Sequence, residues 1–255
     1  MPTAQIARSP AVTPAPSATP APPATATAAL PSPTLRAPTA TLLPSVTPTV
    51  TVAAAVDPTS AFERQVYALI NQLRAAHGVA PLAYNTLLAQ AARAHSCEQA
   101  ANSAISHTSG DGRTLAQRLP PVDPPWEWPS ENIAAGFATP EELVRAWFDE
   151  QPPDDWHRRN ILSGDQRELG VGFCAGASGA PGYSNVVTAD FARRVNLFPI
   201  VLNGGAATTD SATIGYWLYG AGWADAVRLG AMPDLGALPW QPFAPEGSYA
   251  LSPAG

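Results

Sequence analysis

The chain contains no lysine; all 14 of its basic residues are arginine. That absence excludes a Walker-type phosphate loop, a Schiff-base lysine and a pyridoxal-phosphate site, each of which needs an ammonium group. Positive charge is scarce overall, since 20 acidic residues leave a formal net charge of −6. This balance argues against nucleic acid as a partner, because phosphate contacts need clustered cations. Two cysteines are too few for the disulfide framework of a small secreted scaffold. No apolar run reaches the ~18 residues of a spanning helix, so no membrane span is expected. Met1–Pro10 lacks the basic start, apolar centre and small-residue cleavage site of an export signal. An exported chain would carry such a signal upstream of this stretch.

Proline is abundant, with 29 residues in 255, and it is unevenly spread. Residues 1–56 hold 12 Pro and 11 Thr among Ala and Ser, with Arg8 and Arg36 as the only charges. Missing backbone donors and short side chains leave nothing to build a core from, so this segment reads as a disordered, extended stalk. Such stalks hold a domain away from a cell surface.

From Asp57 the composition changes and helical signals become regular. Ser60-Ala-Phe-Glu63 has the form of a capping box, and Phe62, Val66, Leu69, Ile70 and Leu73 follow at helical spacing. Asn85 can cap an alanine-rich helix running to about Asn102. A short helix is expected at Arg113–Leu119. Thr139-Pro-Glu-Glu142 opens another helix, which Pro152-Pro153 ends, and Asp154 is the expected cap of a last helix through Leu162. Ser130–Ala135, Glu168–Ala175 and Tyr183–Phe191 read as strands, the last two as a hairpin. Helices around antiparallel strands place residues 57–194 in the α+β class as an α-β-α sandwich. Residues 195–255 alternate over Val195–Leu202, Ile214–Tyr219 and Val227–Leu229, as in a small all-β module. Its sheet edge is exposed unless something covers it, which points to an incomplete module.

Polar clusters interrupt the middle segment at Ser106-His107-Thr-Ser-Gly-Asp-Gly112, Ser130-Glu131-Asn132 and Trp147-Phe-Asp-Glu150 through His157-Arg-Arg-Asn160. Two histidines with nearby carboxylates form a borderline nitrogen and oxygen donor set suited to zinc or a similar divalent ion. No local metal motif is present, so only the fold can join them. Cys97 and Cys174 either stay free in the interior or, in an exported chain, form a disulfide. Closing that 77-residue span would be worth about 4 kcal/mol on the chain-entropy account.

In order and combination, these pieces resemble the CAP superfamily of cysteine-rich secretory, antigen 5 and pathogenesis-related proteins, in its bacterial SCP-like branch. The resemblance runs from about Ser60 to Phe191 and rests on Leu69-Ile-Asn71, His77-Gly-Val-Ala-Pro-Leu82, His107 with Gly110-Asp-Gly112, Glu131-Asn-Ile133, Trp147 and His157-Arg-Arg-Asn-Ile-Leu162. It implies a cleft holding two His and two Glu. They map onto His107 and His157 as metal ligands, with Glu131 and Glu150 behind them as their hydrogen-bond partners and as candidate catalytic bases. Many bacterial members lack the second acid and have Ser-Pro-Gly before the histidine, where this chain has Pro152-Pro-Asp-Asp-Trp156. The expected role is an extracellular or cell-envelope binding module for a small ligand, lipid or cell-surface component. A metal-dependent hydrolase and a structural surface protein are the alternatives.

Overall fold

The computed structural model describes residues 3–7, 61–176, 183–206, 209–231 and 234–251. The elements run in chain order as β1 Thr3–Ala7, α1 Ala61–Ala76, β2 Ala83–Tyr84, α2 Thr86–Asn102, α3 Leu115–Arg118, β3 Trp126–Ala135, α4 Pro140–Phe148 and α5 Trp156–Leu162. They continue as β4 Glu168–Ala175, β5 Asn185–Arg194, β6 Ile200–Leu202, β7 Thr213–Leu218, β8 Ala226–Gly230, β9 Gln241–Pro242 and β10 Glu246–Ala250.

A four-stranded sheet of order β2-β4-β5-β3 forms the middle layer. On one face α1, α4 and α5 bury Val66, Tyr67, Ile70, Leu143, Val144, Trp147 and Ile161 against Leu169, Val171, Val187, Ala189 and Phe191. On the other lies α2, and its approach is unusually close. A Cβ added at Gly170 would fall 2.0 Å from the Ala89 backbone nitrogen, and one at Gly172 would fall 2.0 Å from that of Arg93. The alanines of α2 and these two glycines are therefore one device, in which small residues on both sides let helix and strand backbones touch. Ser96 Oγ donates to Gly172 O at 3.0 Å and shares a hydroxyl–hydroxyl hydrogen bond with Thr188 Oγ1 at 2.9 Å across that seam. A Cys97–Cys174 disulfide closes the same seam. The α-β-α sandwich is thus present.

Several boundaries differ from the sequence reading for local reasons. Asn85 caps α2 by accepting from Leu87 N and Leu88 N, as expected. The cap of α5 is Asp155 rather than Asp154. Ser60 lies outside the described residues. Glu63 is buried, and its carboxylate accepts from Arg93 and from Phe173 N. The third strand begins at Trp126, four residues before the expected start, because Trp126 and Glu127 pair with Arg194 and Arg193 ahead of a register slip between Glu127 and Ser130. The hairpin partner starts at Asn185 rather than Tyr183, and residues 177–182 of its loop are not described.

Beyond Arg194, two three-stranded sheets of order β10-β7-β6 and β1-β8-β9 enclose Ile200, Leu218 and Val227, with Trp223 and Phe243 packed on them. Thr3–Ala7, within the segment read as a stalk, pairs antiparallel with β8 and covers one side of that strand. From residue 8 to residue 60 that segment lies outside the described residues. Tyr219 ties this part to the sandwich by donating to Pro81 O at 2.6 Å.

The close seam yields a stability prediction. Gly172→Ala should lower stability by about 1–3 kcal/mol or more, the usual range for overpacking. A urea midpoint equal to that of the wild type would contradict the packing described.

Candidate functional site

β3 is an edge strand of the sheet, and Glu131 and Asn132 lie at its centre. Successive strand residues point to opposite faces, so these neighbours serve different layers. Glu131 is buried among α2, α3 and the loop that follows α2. Its Oε1 accepts from His107 Nδ1 at 2.8 Å. Its Oε2 is paired with Arg118, the last residue of α3. The same guanidinium donates to His107 O at 2.9 Å, so Arg118 fixes both the carboxylate and the loop carrying the histidine. The His107 side chain itself is 67% exposed, leaving the outer edge of its ring open to solvent.

The second pair assembles around the start of α5. Glu150 follows the C-terminal cap of α4, and its Oε2 accepts from His157 N at 3.0 Å. This satisfies a first-turn donor that the Asp155 side chain leaves uncapped. Glu150 Oε1 meets His157 Nδ1 at 2.5 Å. Asparagines join the two pairs. Asn132 Nδ2 donates to His157 O at 3.1 Å, and Asn160 Nδ2 donates to Asn132 Oδ1 at 2.8 Å and to Glu131 O at 3.3 Å. The structure therefore brings His107 together with Glu131, and His157 with Glu150, and anchors both to one stretch of β3.

Each imidazole is held through Nδ1, which makes Nδ1–H the favoured tautomer and turns the Nε2 lone pair outward. Neither Nε2 has a hydrogen-bond partner among the described residues. Also among the described residues, no group of three or more His, Cys, Asp or Glu gathers into a metal-holding cluster. Each imidazole is backed by a carboxylate, His107 by Glu131 and His157 by Glu150.

Two charged participants escaped the sequence reading. Arg118 sits on a four-residue helix with nothing local to mark it as buried. Asp190 pairs with Glu131 across β3 and β5 and is fully buried. Burial first, then the charge of Glu131, pushes its carboxyl well above the usual range, against the opposing pull of Arg118. Its signal was an acid at an alternating position in the otherwise uncharged strand run Val186–Phe191. His95, a neighbour of the cluster, is buried, with Nε2 on Ser106 O at 2.8 Å.

Residues 67–191 match the family model of CAP, the cysteine-rich secretory protein family. The chain carries a CAP domain. Two Bacillus subtilis proteins are similar to it in sequence. The uncharacterized protein YkwD is 31% identical over 128 residues, 50% of this chain and 48% of that one. The uncharacterized membrane protein YlbC is 31% identical over 110 residues, 43% and 31% of the two chains. The matched stretch thus spans about half of the first relative and about a third of the second. Among solved structures, an extracellular protein containing an SCP domain from Bacillus anthracis aligns at 26% identity and TM-score 0.43, over 52% of this chain and 40% of that one. An outer surface protein of Borrelia burgdorferi aligns at 21% identity and TM-score 0.45, over 52% and 92%. No described helix is long and apolar enough to cross a membrane.

The CAP site makes a titration prediction. Its hydrogen bond to Glu131 raises the His107 pKa, with burial opposing, so the imidazolium persists to higher pH than an ordinary histidine. The stabilisation from this pair is full below the unfolded value of about 6.5 and is lost as pH rises through the raised folded value. Glu131→Gln keeps the shape and an acceptor for Arg118 but removes the anion. The His107 Cε1–H titration followed by NMR should then move down in pH; an unmoved midpoint would contradict the pairing.

Proposed function

We propose that this protein is an exported, surface-held CAP binding module, non-catalytic, whose cleft holds one divalent cation, zinc foremost, between His107 and His157. The observation that carries this reading is the commitment of both carboxylates. Glu131 is engaged by His107 and Arg118, and Glu150 by the side chain and backbone of His157. A carboxylate with every oxygen engaged is poorly placed to take a proton from water, but it is well placed to orient an imidazole for a metal. When bound, the ion would supply a positive point toward which an oxygen-bearing ligand is drawn. The residues themselves hold the two rings, fix their tautomers and keep Nε2 available.

Export is supported by the Cys97–Cys174 disulfide, a bond that persists in oxidising compartments. The extracellular and surface proteins among the solved structures point the same way. Within this reading, residues 57–194 are the CAP domain and 195–255 a β module, and the stalk reading of residues 1–56 excludes Thr3–Ala7, which pair with β8. The natural ligand is a small molecule, lipid or cell-surface component.

The test is calorimetric titration of the full chain with zinc. About one ion per chain is expected, and His107→Ala or His157→Ala should each weaken binding by at least tenfold. Equal affinity and stoichiometry in the double variant would overturn the metal reading. Turnover of a peptide or ester library that Glu131→Gln or Glu150→Gln abolishes would overturn the non-catalytic one.

A further inference from the structure

Trp126, Trp128, Trp147 and Trp156 all lie close in sequence to the two His–Glu pairs, and the fold divides them sharply. Trp147 is buried in the main core, and Trp126 packs beside Leu88, Leu119 and Ala192. Trp128 and Trp156 are instead 63% and 65% exposed. An indole is among the most expensive groups to leave in water, so two of them held outward call for an explanation.

Both rings are braced. The Arg193 guanidinium lies 5.2 Å from the Trp128 ring centroid and is itself held by Glu127 and Asp165, each at 3.2 Å. The Arg159 guanidinium lies 4.9 Å from the Trp156 centroid and is held by Asp155 at 2.7 Å. Cation–π stacking of this kind orders a ring from one side and leaves its remaining surface open. Trp128 also has a φ of +54°, at the point where β3 slips against β5. That conformation is a true outlier for a bulky residue, and it is kept in place by Gln166, which donates to Trp128 O at 2.7 Å. Trp156 opens α5, and Gln166 follows the end of that helix. The two indoles therefore stand at opposite ends of α5, an element roughly 10 Å long.

We propose that Trp128 and Trp156 form a two-ring stacking site for an extended glycan, a chain of β-1,4-linked pyranoses. The flat C–H face of a pyranose matches an open indole, and its hydroxyl rim matches the accessible carboxylates of Glu127 and Asp165 beside Trp128. Two platforms separated by the length of a helix fit a straight chain better than a single sugar. The same carboxylates, with a net charge of −6, disfavour an anionic membrane surface or nucleic acid. The site uses neither His107 nor His157, so it stands or falls separately from the metal reading.

The experiment titrates the full chain with cellohexaose and with chitohexaose, in parallel with co-sedimentation on phosphatidylglycerol vesicles. At least one hexasaccharide should bind, Trp128→Ala and Trp156→Ala should each weaken it about tenfold or more, and the double variant should lose it. Trp156→Tyr should retain part of the affinity, which a purely structural role would not predict. Should Trp128→Ala fail to fold, Trp156→Ala and Trp128→Tyr carry the test. Failure of both hexasaccharides to bind, unchanged affinity in the folded alanine variants, or indole-dependent capture by vesicles in place of sugar would each overturn the proposal.

Discussion

The buried carboxylate of Glu131 is the constraint around which the site is organised. An anion removed from water must be met by opposite charge and by donors for both oxygens. Here that need is filled by Arg118 from one direction and His107 from another. Satisfying the charge therefore pulls the four-residue α3 and the loop after α2 down onto β3. Asp190 faces the same carboxylate across the ladder, and burial together with the charge of Glu131 pushes its pKa up. One buried charge thus decides where a helix, a loop and a histidine ring sit.

That constraint works only because the layers beneath it are rigid. The contact of α2 with Gly170 and Gly172 leaves no room for the sheet to shift, and the Cys97–Cys174 bond closes the same seam. On the opposite face, Trp147 and Ile161 seat α4 and α5 on the sheet, and the Asn132–Asn160 bond registers α5 against β3. The two imidazoles come from different layers, yet both refer back to two adjacent residues of one edge strand.

Much of this was legible in the sequence, and what was missed has physical reasons. Asn85 and Thr139 announced α2 and α4 because caps are local chemistry, and Leu169, Val171 and Phe173 announced β4 because alternation is local too. The two-residue β2 has no period to read, and the pairing of Thr3–Ala7 with β8 joins segments more than two hundred residues apart in a chain of 255. The pairing of His107 with Glu131 and of His157 with Glu150 could be expected from the resemblance to the CAP family, but the parts of Arg118 and Asp190 could not. Arg118 looks like any helix-end arginine until a buried anion is placed beside it. The outward turn of Trp128 depends on a register slip that only the finished ladder reveals.

The central claim is that both imidazoles are pinned through Nδ1 so that their Nε2 atoms serve one ion. Long-range nitrogen–proton correlation NMR of the histidine rings, recorded at a pH where they are neutral and during stepwise addition of zinc, tests it most directly. The account predicts Nδ1–H tautomers for His107 and His157 before metal, and simultaneous shifts of both Nε2 signals that saturate together near one equivalent. An Nε2–H tautomer at either ring, or a response confined to one of them, would contradict it.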